Sequence, residues 1–248
     1  MSGVEAGDPG SDARGGDAPR VHGPGVVYVA TGAAHIEAAR ASAASVRRTN
    51  PKLGLAIFAD SADVGPEFDI VEPVAGAHVR SKIDYLPRTP FAETLYLDTD
   101  TRVLGDLGEL FRLLDRFPVA AAHRVRDTER VLNPREYDPV PSSFPEHNGG
   151  VLLYRSSPEV LAFFTAWRDE YHRAGFVADQ ISFRRVLWAT DLRVAVLPPR
   201  FNTRRYTWVD RFLSRQPPPV ILHANRFHPS KRGGPIRRRL QALLGPAI

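Results

Sequence analysis

The chain has 248 residues, 43% of them hydrophobic, no cysteine and a formal net charge of +5. That length and apolar content suit one large domain or two small ones and exclude global disorder, and without cysteine there are no disulfides and no thiolate metal sites. The positive balance suits an anionic partner, whether nucleic acid, a membrane surface or a phosphorylated small molecule.

Met1 to Gly25 is rich in Gly, Ala, Asp and Pro and predicts a disordered tail. It lacks the basic-then-apolar layout of a signal peptide, and no run of the chain is long and apolar enough for a transmembrane helix. A cytoplasmic protein is expected. Val26 to Ala30 reads as a buried strand ending at Thr31-Gly32, Ile36 to Arg48 as a helix stopped by Asn50-Pro51, and Leu53 to Ala59 as a second strand ending on Asp60. Ile70 to Glu72 is a short third strand. Strand, helix and strand in that order begin a parallel α/β sheet, whose ligands sit beyond the carboxyl ends of the strands. Asp60 is equally read as a turn residue there. Arg80 and Lys82 precede a short helical stretch, Ile83 to Leu86, broken by Pro87 and Pro90; they suit a phosphate-bearing ligand or plain solvation.

The apolar run Leu95 to Leu97 is followed at once by Asp98, Thr99 and Asp100. Unpaired carboxylates are costly at the end of a buried strand, so the pair needs water, a base or a cation. Residues two apart on a strand share a side, so Asp98 and Asp100 converge if strand geometry persists to the tip. Two readings stand: a divalent-metal site, or a turn whose carboxylates cap the backbone.

Leu107 to Phe117 has helical apolar spacing, and Val119 to Ala122 is another strand, closing at His123. Arg124 to Pro145 is a long polar segment suited to an active-site cover. His147-Asn148-Gly149-Gly150 opens a strand, Val151 to Tyr154, and adjacent glycines there indicate close backbone approach or positive φ. Ser156-Ser157-Pro158-Glu159 starts a helix over Val160 to Arg173. Asp179-Gln180 precedes a helix over Ile181 to Trp188, with Asp179 as its N-cap on sequence alone. Val194 to Leu197 and Val220 to Leu222 are strands. The second ends on His223, a position that a structural histidine or a ligand would fit. The basic stretch from Arg226 to Arg239 is read as a solvated tail or, over Ile236 to Leu244, as a short amphipathic helix at the inner face of an anionic membrane. No aromatic–basic interleaving supports nucleic-acid binding.

Taken together, Val27 to Gly32, Arg80-Ser-Lys-Ile, Leu97-Asp-Thr-Asp-Thr, His147-Asn-Gly-Gly-Val, Asp179-Gln180, Leu197-Pro-Pro-Arg-Phe-Asn202 and Leu222-His223 resemble nucleotide-sugar glycosyltransferases of the GT-A fold, closest to glycosyltransferase family 8 and its relatives. The resemblance implies an α/β fold with a mostly parallel sheet, one transferase domain over residues 26–232 and a separate basic segment over 233–248. It implies transfer of a sugar from a nucleotide diphosphate sugar, UDP-linked, to an acceptor, with retention. Asp98, Asp100 and His223 would hold Mn²⁺ or Mg²⁺. Ala30, Thr31, Gly32, Asp60, Arg80, Lys82, Thr99 and Lys231 would bind the donor nucleotide, Asn148, Gly149 and Gly150 would line the sugar and acceptor pocket, and Asp179 and Gln180 would flank the anomeric carbon. One departure stands out. His223 is followed by Ala-Asn-Arg-Phe-His-Pro-Ser-Lys, without the family's Gly and Lys-Pro-Trp, which leaves Lys231 or Arg226 as the phosphate-binding cation. The alternatives are a non-catalytic nucleotide-sugar-binding module and a haloacid-dehalogenase-type phosphatase, whose motif wants Thr or Val where this chain has Arg102.

Overall fold

A computed structural model describes residues 21–124, 140–141, 143–175, 178–207, 210 and 217–229. The strands are β1 (Val21–Ala30), β2 (Gly54–Ala59), β3 (Ile70–Pro73), β4 (Phe91–Leu97), β5 (Thr101–Val103), β6 (Val119–His123), β7 (His147–Arg155), β8 (Val194–Leu197) and β9 (Ile221–His223). The helices are α1 (Ala33–Thr49), α2 (Lys82–Tyr85), α3 (Gly108–Phe111), α4 (Pro158–Ala174) and α5 (Asp179–Trp188). Seven strands form one sheet in the order β3-β2-β1-β4-β7-β6-β8, and β5 pairs with β9 in a separate ribbon.

Four of the six pairings in the large sheet are parallel, and β7 runs antiparallel to both its neighbours. This single reversal sets the position of the site. The carboxyl ends of β1, β2 and β4 gather on one edge, and β7 brings its amino end, His147 to Gly150, to that same edge. Strand alternation divides the core. Val26, Tyr28 and Ala30 of β1 face α1 through Ile36, Ala39, Ala43 and Val46. Val27 faces the other layer, with Ile83, Phe164, Trp167 and Phe183 from α2, α4 and α5. Small residues on α1 also tie it to the ribbon. Ser42 Oγ lies 2.7 Å from Thr101 Oγ1, and the Val103 amide donates to Ser45 Oγ at 2.8 Å.

The start of α4 is as expected: Ser157 caps it, Pro158 is its first residue, and Gly175 closes it at φ 63°. Elsewhere packing overrode local reading. β1 begins at Val21, five residues before the expected strand and inside the expected tail. Gly and Pro there read as loop, yet a Cβ on Gly25 would lie 2.4 Å from the Phe91 ring, and one on Gly54 2.5 Å from it. The bare backbone of two neighbouring strands is what lets that ring seat. The helix expected over Leu107 to Phe117 is α3 followed by a 3-10 turn, Arg112–Asp115. Pro87 lies inside a 3-10 turn, Leu86–Arg88, where its missing N–H costs nothing. Gly149 and Gly150 lie within β7 and not before it.

Residues 1–20, Lys231, the basic segment 233–248 and 125–139 of the expected cover fall outside the described residues. Among the described residues no helix is long and apolar enough to cross a membrane.

His147 on β7 is buried against Phe183, and burial, with His123 nearby, pushes its imidazole down to about 4. Unfolded, the ring would protonate near its ordinary value of about 6.5. Between those values the unfolded chain binds the extra proton, so stability falls as pH drops through the window. His147→Phe removes this penalty. In urea denaturation its advantage over wild type should grow as pH is lowered from about 6.5 towards about 4 and vanish above that range.

Candidate active site

The two carboxylates of Asp98 and Asp100 sit in the tight connection between β4 and β5, since β4 ends at Leu97 and β5 starts at Thr101. They converge through this turn and not through a continued strand pleat. The turn is held at both ends. The Asp98 amide donates to the Gly150 carbonyl at 2.8 Å, and the Ala224 amide donates to the Asp100 carbonyl at 3.0 Å. Thr101 pairs with His223 across the ribbon, which delivers the imidazole to the carboxylates. His223 Nε2 lies 3.1 Å from Asp100 Oδ1 and 3.5 Å from Asp98 Oδ2, and ligand atoms of the three residues lie within 4.8 Å of one another.

The surroundings hold each ligand in one orientation. His223 is buried, and its Nδ1 lies 2.8 Å from Asn202 Oδ1. An amide oxygen only accepts, so Nδ1 carries a proton and Nε2 is the nitrogen turned towards the carboxylates, the one that a cation would take. Tyr96 donates its hydroxyl to Asp98 Oδ1 at 2.8 Å, and burial together with the Asp98 charge holds the phenol well above its ordinary pKa. Gly150 is the floor. A Cβ there would lie 2.2 Å from His223 Cε1 and 2.5 Å from Asp98 Oδ2. The glycine is needed for close approach and not for φ, as its backbone is not in the positive-φ region. Two carboxylates, one imidazole and a bare floor fit a divalent cation with hard-to-borderline preferences.

Beside this set lies a buried ion network. Lys82 Nζ is 2.9 Å from Asp179 Oδ2 and 3.4 Å from Asp98 Oδ1, and donates to the Gly149 carbonyl at 2.9 Å. Burial alone lowers the Lys82 pKa, but the Asp179 and Asp98 charges outweigh it and the net shift is upward. For Asp179, burial alone raises the carboxyl, and Lys82 and then Arg80 bring it below its usual value. Both groups stay charged. The N-cap of α5 is Ala178, so Asp179 is not the cap expected of it. Its side chain is spent on cations. Arg124, at the end of β6, donates to Gln180 Oε1 and lies 2.5 Å from Glu146 Oε2.

A second convergence joins His78, Asp84 and His172. Its N···O separations are 2.5 Å and 2.8 Å, and the Arg80 amide donates to His78 Nδ1 at 3.2 Å. With Nδ1 accepting, Nε2 of His78 carries the proton, so this set is a hydrogen-bonded latch on Asp84. It fastens the segment that presents Arg80 to α2 and α4.

The Asp98, Asp100 and His223 set, with Lys82, Asp179, Arg80 and Arg124, lines one cleft of about 950 Å³ at the strand-end edge of the sheet, a size that accommodates a nucleotide-bearing ligand. The sequence pattern of a family described as nucleotide-diphospho-sugar transferase matches residues 92–233, more than half of the chain. This chain belongs to that family. Solved structures agree on the architecture. Mouse xyloside xylosyltransferase 1 is 18% identical, with 84% of this chain and 99% of that one covered and a TM-score of 0.54. The galactosyltransferase LgtC, solved with donor and acceptor sugar analogs, is 15% identical, with 90% and 97% covered and a TM-score of 0.57. The glycosyltransferase GlyE of Streptococcus pneumoniae is 20% identical, with 80% and 53% covered and a TM-score of 0.56. At these identities the likeness establishes the GT-A fold. No curated protein sequence matches the chain.

The transferase brings most of the residues singled out in the sequence to this cleft. Thr31, Gly32 and Asp60 form one wall, where both Asp60 oxygens accept from the Gly32 amide at 2.9 Å. Thr99, Asn148, Gly150 and Gln180 line it with the ligand set and the ion network. Ala30 does not. The strand alternation that points Val29 and Thr31 into the cleft buries its methyl in the core. Gly149 contributes its carbonyl to Lys82. Arg226 stacks on Phe227 at 5.1 Å and is not in the cleft wall, and Lys231 is outside the described residues.

Sequence reasoning did not single out Tyr96, Arg124, His35 or Arg204. Tyr96 was open to the same two-residue parity that joined Asp98 to Asp100. His35, Arg124 and Arg204 carry no local signal, because their relation to the site is purely spatial.

Two pairs of variants test the site's construction. In calorimetry with UDP and Mn²⁺, the binding heat given by the wild type should be lost in Gly150→Ala while the fold persists, whereas Gly105→Ala, whose Cβ would meet Val220 at an ordinary 3.6 Å, should behave as wild type. Lys82→Met leaves Asp179 short of its nearest cation and should cost about 3–5 kcal/mol in chemical denaturation. The double variant Lys82→Met/Asp179→Leu should recover much of that loss.

Proposed function

We propose that this nucleotide-sugar transferase is metal-dependent, takes its sugar from a UDP-sugar and forms a product of retained anomeric configuration. The observation that carries the metal dependence is the convergence of Asp98, Asp100 and His223 over Gly150. Asp98, Asp100 and His223 Nε2 would hold Mn²⁺ or Mg²⁺, which when bound supplies Lewis acidity towards the charge developing on the leaving diphosphate. The UDP and retention readings rest on the resemblance to family 8, which the order of the motifs supports.

The chain's own residues then have defined work. Arg124 occupies Gln180 Oε1, so the Gln180 amide N–H₂ is the end left to face a sugar hydroxyl. Gln180 is thus a donor that orients the sugar and not an oxygen nucleophile. Asp179, its charge matched by Lys82 and Arg80, keeps those two cations at the cleft wall instead of attacking the anomeric carbon. The acceptor hydroxyl then attacks on the face the leaving group departs from. The bond from the anomeric carbon to the phosphate oxygen breaks, the bond to the acceptor oxygen forms, and the acceptor proton passes to the departing phosphate.

A screen of UDP- and GDP-sugars for Mn²⁺-dependent donor hydrolysis tests this reading. A UDP-sugar should be consumed, and Asp100→Ala should reduce the rate to background. Tight metal-dependent UDP binding without hydrolysis or transfer would instead mark a non-catalytic binding module. NMR of the product of a defined acceptor should show the donor's anomeric configuration, and an inverted product would overturn the front-side path.

A further inference from the structure

Resting on the donor reading above, we infer that Arg204 grips the diphosphate of the nucleotide sugar. The sequence motifs left this cation between Lys231 and Arg226; Arg226 is not in the cleft wall, and Lys231 lies outside the described residues.

Position is the first argument. Asn202 holds His223 Nδ1, and Thr203 is fastened to β9 on both sides: its amide donates to the Ile221 carbonyl and its carbonyl accepts from the His223 amide, each at 2.9 Å. Thr203 also forms an isolated parallel bridge with Leu222. The chain therefore leaves the ribbon at Arg204 beside the metal-ligating end of β9, and Arg204 lines the cleft.

Charge is the second. The other Arg and Lys side chains on the cleft wall already have acidic partners: Lys82 and Arg80 share Asp179, with Asp98 also near Lys82, and Arg124 has Glu146. Each of these cations has an acid beside it, and a diphosphate is best met by a cation that has none. Among the described residues Arg204 makes no ion pair or hydrogen bond, and its side chain is exposed. An exposed guanidinium stays hydrated until the ligand arrives, then offers two parallel N–H donors that match phosphate oxygens. Arg205, the next residue, is not in the cleft wall, and its charge acts on Asp210. The pair of adjacent arginines thus contains its own control.

The test is titration of the full chain with UDP, with GDP and with the two parent nucleosides, all in Mn²⁺, followed by calorimetry for the diphosphates and ligand-detected NMR for the nucleosides. Arg204→Ala should weaken the bound diphosphate by about ten- to a hundredfold and leave the nucleoside unchanged. Arg204→Lys should recover part of the loss, because the charge returns without the fork, and Arg205→Ala should match wild type. Added salt should narrow the gap between wild type and Arg204→Ala. The inference is overturned if Arg204→Ala binds the diphosphate as wild type does, if it loses the nucleoside equally, or if Arg205→Ala is as damaged. If wild type itself binds neither diphosphate, the donor reading fails and takes this inference with it. Normal binding by both wild type and Arg204→Ala would overturn only the role of Arg204.

Discussion

The ammonium of Lys82 is the point on which the site depends. It is buried, donates to the Gly149 carbonyl and lies between Asp179 and Asp98. Neither the Lys82 ammonium nor the Asp179 carboxylate would be tolerable there alone, since an unpaired ion in a protein interior costs several kcal/mol. Together they bind four elements, α2, β4, β7 and α5, at one place. The edge of the sheet where parallel strands end would otherwise be a collection of independent loops. The network makes it a wall, with Asp98 facing the ion network through Oδ1 and the cation set through Oδ2.

The second constraint is space. Phe91 seats on Gly25 and Gly54, and His223 and Asp98 meet over Gly150. In both cases a side chain is admitted because a neighbouring strand carries none. The pairing of β6 with β7 supports the second case. Its register shifts so that Ala121 faces Leu152 while Ala122 faces Asn148. The intervening residues, Gly149 to Val151, are released from β6 and swing towards the end of β4. A bulge of this kind re-aims backbone at a sheet edge, and here it supplies the carbonyls that take the Asp98 amide and the Lys82 ammonium.

How much was legible in advance differs by residue. The Asp98-Thr-Asp100 pair stood out because charges at the end of an apolar run demand an explanation, and the structure places a basic nitrogen beside them. The expected mechanism of convergence was incorrect: the strand stops at Leu97, and a turn does the work. Asp179 read as a helix cap because it precedes a helical pattern. Its burial beside Lys82 could not be seen from spacing, because the partner lies on a different element. Gly149 and Gly150 signalled close approach correctly, but with no indication of what approached. The early start of β1 was hidden because Gly and Pro lower strand propensity, and only the contact with the Phe91 ring explains Gly25.

By itself, the sequence determined the local periodicities, the inventory of oxygen and nitrogen ligands and the order of motifs that marks the family. Those properties depend on residues close together in the chain, where strand and helix repeats act. Only the tertiary structure decided which distant groups meet: His223 with Asp98 and Asp100, Lys82 with Asp179, Arg124 with Gln180 and Arg204 with the cleft. Each of these depends on strand direction, register and the absence of a side chain at Gly150. Charge pairing and steric fit act through space, and spacing along the chain carries no record of them.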